Sequence, residues 1–94
     1  MLSFMLHVTV EEPNIAEAVE ALTEIDRRTQ DHPGKITFMW FQHLDNPRAF
    51  TLVEQWESQA ALDAHIPRIL DVWNAFTPCL DGEPVSIRLG KLLA

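Results

Sequence analysis

The chain has 94 residues, of which 47% are hydrophobic and 22% charged, and 14 acidic against 7 basic side chains leave a formal charge of −7. That length fits a single domain over 1–94 with one modest core, and the acidic balance speaks against nucleic acid or an anionic membrane surface as partners. Cys79 is the only cysteine, which excludes an internal disulfide and a cysteine-based zinc site; with no signal-peptide pattern before Glu11 and Glu12 and no apolar run near the roughly 18 residues of a membrane span, a cytoplasmic protein is expected.

Residues 2–10 alternate, with Leu2, Phe4, Leu6, Val8 and Val10 on one face and Ser3, Met5, His7 and Thr9 on the other, the period of a half-buried strand. Asn14 followed by Glu17 has the spacing of a capping box. Ile15, Val19, Leu22 and Ile25 then form one apolar stripe of a helix ending near Gln30, with Arg27 and Arg28 in its last turns, where cations favour the helix dipole. His32-Pro33-Gly34 stops it. Residues 35–44 read as a strand that is apolar on both faces, with Ile36, Phe38 and Trp40 on one and Met39 and Phe41 on the other. After the loop Asp45–Ala49, residues 50–57 form a third strand. Ser58 caps a second helix carrying Leu62, Ile66, Ile69, Leu70, Trp73 and Phe76, and Pro67 predicts its division into a short and a longer piece. Residues 84–92 make the last strand, with Val85, Ile87 and Leu89 on one side.

The order β-α-β-β-α-β predicts an α+β fold of the ferredoxin-like type, a four-stranded antiparallel sheet with both helices on one face. The other face cannot be fully polar, because the second strand carries large apolar side chains in both directions. The five residues from Gly90 to Ala94 are too few to cover four strands, so a second copy is the expected partner, in a two-fold dimer with the sheets face to face.

The stretch Phe50 to His65, FTLVEQWESQAALDAH, resembles the antibiotic biosynthesis monooxygenase family of dimeric α/β barrels. The matching features are a strand ending Glu54-Gln55-Trp56-Glu57-Ser58 and a helix carrying Ala61, Leu62 and Ala64-His65, together with Pro33-Gly34 before the second strand and Asp45-Asn46-Pro47 before the third. The resemblance implies a homodimer formed through the sheet, with a pocket between sheet and helices. It also implies oxygenation of a quinol or a related electron-rich aromatic by O₂, with no cofactor and no metal. The family is functionally loose, so an isomerase or tautomerase and a non-catalytic small-molecule-binding dimer stand as alternatives. Haem degradation fits less well, since members that do it carry an Asn on the first strand and a later helix histidine, both missing here.

His65 and Glu54 are the candidate catalytic residues. His65 stands beside the buried stripe of the second helix, where an imidazole can take a phenolic proton near neutral pH; the alternative is a histidine capping helix carbonyls. Glu54 shares a strand face with Phe50, Leu52 and Trp56. A carboxylate there needs a partner or a raised pKa, and serves as a base, as an orienter of His65, or as a purely structural group. Trp56, Trp40, Trp73 and Phe76, beside Phe38, are candidates to wall an aromatic substrate site, or else they are plain core. His7 and His43 line the pocket or the dimer interface, depending on which way their strand faces point. They make no metal site with His65, since no ligand spacing supports one. His32 belongs to a turn and is expected to be solvated. Arg88 is read as a surface ion-pair residue, with Glu54 or an anionic substrate as the other options. Cys79 has no activating neighbour and is expected to be buried and inert. With three glycines there is no phosphate-binding loop.

Overall fold

The computed structural model describes residues 1–93. Its strands are β1 (Leu2–Thr9), β2 (Lys35–Gln42), β3 (Ala49–Trp56) and β4 (Val85–Leu89), and its helices α1 (Ile15–Thr29) and α2 (Gln59–Phe76). The sheet order is β2-β3-β1-β4 with every neighbour antiparallel. This is the ferredoxin-like α+β arrangement that the element order predicts. Among the described residues no helix is long and apolar enough to cross a membrane.

Register settles the direction of each strand face. Phe4 pairs with Glu54, and Glu54 in turn with Phe38. The helix-facing layer therefore holds Phe4, Leu6 and Val8 of β1, Phe38 and Trp40 of β2, and Phe50, Leu52, Glu54 and Trp56 of β3. Val8, Phe38, Phe50, Leu52 and Trp56 are buried there against Ala18, Leu22 and Ile25 of α1 and Ile69 and Phe76 of α2. The opposite face carries Met5, His7, Met39, Phe41, Thr51 and Val53, together with Val85, Ile87 and Leu89. Its apolar side chains stay open, Phe41 being 51% exposed. The tail does not cover them: Leu92 and Leu93 are themselves exposed, and Ala94 lies outside the described residues.

Four local expectations are corrected. Asn14 makes no side-chain cap, because Glu12–Asn14 forms a 3-10 turn that leaves it at φ −104°, ψ 8°, away from the extended backbone that an N-cap needs. Pro67 does not divide α2, which runs unbroken through it; Pro67 and Asp63 lie on the exposed side, where water can satisfy the carbonyl that loses its bond. Ile36 leaves the Phe38 and Trp40 face. A register irregularity between Lys35 and Thr37 places it in a bulge, 46% exposed. Ile66 and Leu70 also point outward, and the buried side of α2 is His65, Ile69 and Phe76. The Ser58 cap forms as expected, its hydroxyl accepting from the Ala61 amide at 3.1 Å.

Candidate functional site

His65 sits in the second turn of α2, and the Ser58 cap and the buried Ile69 and Phe76 one and three turns on set its orientation inward. The ring is 4% exposed. It lies over Trp56 with centroids 4.6 Å apart and meets Phe38 at 5.3 Å. Its polar partner is His32: the two Nδ1 atoms are 2.7 Å apart. One Nδ1 must donate and the other accept, so the rings hold opposite tautomers.

This corrects the expectation for His32, which is 9% exposed rather than solvated. The turn that carries it is tied down at both ends. The His32 amide donates to the Thr29 carbonyl at 3.0 Å, and the Lys35 amide donates back to the His32 carbonyl at 3.2 Å. The Glu57 amide then fastens the turn to the end of β3 by donating to the Gly34 carbonyl at 2.8 Å. Sequence reasoning missed His32 because its partner is 33 positions away, and no local signal marks the pairing.

Burial holds both imidazoles in their neutral form. It depresses His65 to about 4, with His32 and Arg68 adding to the effect, and it lowers His32 as well, with Arg68 beside it. A cavity of about 310 Å³ opens over the pair, lined by both histidines, Pro33 and Gly34, the alanines 60, 61 and 64, Glu57 and Arg68.

Glu54 is 4% exposed, and burial raises its carboxyl to about 7. The Trp56 indole partly offsets that by donating Nε1–H to Glu54 Oε1 at 2.8 Å. Trp56 therefore stands between the two candidate catalytic groups, bonded to Glu54 at its edge and covered by His65 on its face. His65 takes its hydrogen bond from or to His32, not Glu54. Arg88 makes no ion pair with Glu54 either, as Phe4 lies between them in register.

The remaining predicted residues are dispersed. Trp40 lines a second cleft, of about 670 Å³, between α1 and β2. Trp73 packs on Phe76 with centroids 5.3 Å apart, and neither lines either cavity. His7 and His43 lie on the opposite sheet face and share one hydroxyl, Thr51 Oγ1, at 2.7 Å from His7 Nδ1 and 2.6 Å from His43 Nε2. Cys79 is buried, and burial with Glu17 nearby pushes its thiol up, away from reactivity. Among the described residues no group of three or more His, Cys, Asp or Glu side chains is placed to hold a metal ion.

The fold and this site define a ferredoxin-like α+β protein with a buried histidine pair beneath a cavity where β3 meets α2. The family model described as antibiotic biosynthesis monooxygenase matches residues 1–66, and the chain belongs to that family. Solved structures agree on the fold. An antibiotic biosynthesis monooxygenase superposes with a TM-score of 0.91 at 17% identity, over 99% of this chain and 100% of its own. A protein of Nitrosomonas europaea placed in the same class gives 0.91 at 19%, over 99% and 100%. A conserved protein from Methanosarcina mazei gives 0.85 at 24%, over 98% and 95%. No curated protein matches the chain.

Proposed function

We propose that the protein oxygenates a quinol or a similar electron-rich hydroxyaromatic with O₂, drawing the electrons from the substrate itself. The observation that carries this reading is the cavity seated on His65 and His32. In the balanced reaction one oxygen atom enters the ring and the other leaves as water, so a quinol becomes a hydroxyquinone. His65 takes the hydroxyl proton, with His32 fixing its tautomer and ring plane. An imidazole depressed to about 4 keeps its lone pair free at neutral pH, and the phenolate formed beside it supplies the counter-charge that burial otherwise denies. The phenolate passes one electron to O₂ more readily than the phenol does. The radicals then join at a ring carbon, and the proton held by His65 returns as the O–O bond breaks. Trp56 does not line the cavity but backs the His65 ring from the core side, and Glu54 positions Trp56 through its indole.

Assays of O₂ uptake with a panel of quinols test this. Turnover should stop under argon and survive dialysis against a chelator. His65→Gln should lower kcat by roughly a hundredfold or more, the range of a lost general base. Turnover that persists without O₂ would instead make the protein an isomerase, and full activity in the His65 variant would remove the base.

The open sheet face supports a homodimer, the sheets meeting through Met39, Phe41, Ile87 and Leu89, all exposed in the single chain. Sedimentation at micromolar concentration should give a dimer, and Phe41→Glu should shift it to monomer. A compact monomer in the unaltered protein would refute this. A cytoplasmic setting fits the lone, unpaired Cys79.

A further inference from the structure

The sheet face turned away from the helices carries almost no charge. The four strands hold four ionisable side chains, His7, Lys35, Glu54 and Arg88. Lys35 pairs in register with Trp56, and Glu54 and Arg88 both pair with Phe4, so these three belong to the helix-facing layer. His7 alone lies on the open face, and His43, one residue beyond β2, extends it.

The two histidines meet on a single hydroxyl. Thr51 Oγ1 lies 2.7 Å from His7 Nδ1 and 2.6 Å from His43 Nε2, and the rings stand edge to face with centroids 6.5 Å apart. A hydroxyl has one proton, so Thr51 donates to one ring and accepts from the other. That chain is neutral. A proton on the accepting nitrogen breaks the Thr51 donation, and an added proton on either ring leaves a cation on the face. No carboxylate neutralises it: the ion pairs of the described residues all join arginine to a carboxylate and include neither ring. Within the sheet the pair is flanked by Val85, which pairs with His7, and by Ala49, whose carbonyl accepts from the His43 amide. The nearby charges lie in loops, Asp45 and Arg48 after His43 and Asp81 and Glu83 before β4. Arg48 is committed to Asp81 and to the Val10 carbonyl, and Asp45 and Glu83 make no hydrogen bond to either ring, whose partner is Thr51.

We propose that this face is a proton-gated contact between two copies of the chain, closed near neutral pH and released in mild acid by protonation of His7 and His43. This gate rests on the homodimer reading above and adds its regulation. A second copy suits a face without charge: the chain carries −7 overall, and a face of one sign would repel itself across a two-fold axis. Size agrees. Strands about 4.8 Å apart, rising about 3.3 Å per residue, give a four-stranded patch a plan of roughly 500 Å². Its side chains raise the accessible area toward the roughly 800 Å² per partner of a stable interface. An imidazolium shut between two apolar sheets loses its water and finds no anion, a cost that falls on the dimer alone.

Net charge by itself predicts the opposite trend. The chain has a pI near 4.8, so general repulsion between copies weakens as pH falls toward that value and association should tighten. Sedimentation velocity over a concentration series at pH 7.5 and 5.5 separates the two. An imidazole that titrates near 6.5 and must enter an interface neutral weakens association about tenfold at pH 5.5. With two such rings in each copy, the dimer Kd should rise at least about a hundredfold, and an unchanged far-ultraviolet circular dichroism spectrum should show that the released chains stay folded. The double variant His7→Gln, His43→Gln should hold Kd within about threefold across the same range. In the unaltered protein, the ring ¹⁵N titration midpoints of His7 and His43 should fall as protein concentration rises, while those of His32 and His65 should not move. A dimer as tight or tighter at pH 5.5, midpoints independent of concentration, or a double variant that dissociates like the unaltered protein would each overturn the gate. A monomer already at pH 7.5 would refute the homodimer reading itself, and the gate with it.

Discussion

Gly34→Ala is expected to destabilise the protein by about 2–4 kcal/mol, through backbone strain and overpacking together. Gly34 has φ +82°, in the left-handed region where a side chain is strained. A Cβ built there would lie 2.4 Å from the Ala61 Cβ, far inside contact distance, and Ala61 belongs to the first turn of a capped helix that cannot yield by rotating a side chain. The turn cannot retreat either, because the Gly34 carbonyl holds the Glu57 amide. Gly82 is the internal control: it has φ +90°, but a Cβ there would meet nothing within 4 Å. Gly82→Ala should therefore cost only the backbone share, about 1 kcal/mol. Urea unfolding at pH 7 measures both. Equal losses would show that the Gly34–Ala61 approach is looser than described. Because Gly34 and Ala61 also bound the cavity over His32 and His65, the alanine should in addition disturb the histidine pair, visible as a change in their ring ¹⁵N shifts.

Between pH 4.5 and 6.5 the stability of the unaltered protein should change much less than either Glu54 or His65 alone would make it, because their steep slopes oppose each other. Glu54 is raised from 4.5 to about 7. In that window the unfolded chain gives up this proton first, so ionisation favours unfolding and stability falls as pH rises. His65 is lowered from 6.5 to about 4. The unfolded chain now holds the extra proton, so stability rises with pH over nearly the same range. Each shift corresponds to about 3 kcal/mol when fully developed. Glu54→Gln keeps an acceptor for the Trp56 indole and removes the falling slope, so its stability should climb by about 2–3 kcal/mol from pH 4.5 to 6.5. His65→Gln should show the reverse, losing a similar amount between pH 4.5 and 7. The lowered His32 acts in the same direction as His65 and moderates that loss. Glu24, held at about 2 chiefly by its hydrogen bonds from Arg27 and Arg28, acts below this window. Denaturant midpoints across the range test the pair; flat profiles in both variants would mean that neither group is desolvated in solution.

The element order was readable because each element has its own short-range signal. Alternation marks β1, the 15-19-22-25 spacing marks α1, and Ser58 marks the start of α2. Glu54 and His65 were found as apolar-face residues of chemical type that does not belong there. The four local misreadings share one feature: a rule of sequence acts only if its surroundings, backbone or neighbours, meet its condition. Asn14 lacked the extended dihedrals of a cap, Ile36 fell in a bulge, Pro67 could leave a carbonyl to water, and Ile66 and Leu70 found no neighbour to cover them.

What the sequence determined alone was therefore the α+β order, the Phe50–His65 signature of the family, and two ionisable groups among apolar neighbours. Only the tertiary structure decided which sheet face the helices cover, and that His32 and not Glu54 bonds His65. The division follows from range. Periodicity and caps act within a turn or two of chain, whereas strand register and the meeting of residues 32 and 65 depend on how distant segments pack, and no local pattern encodes that.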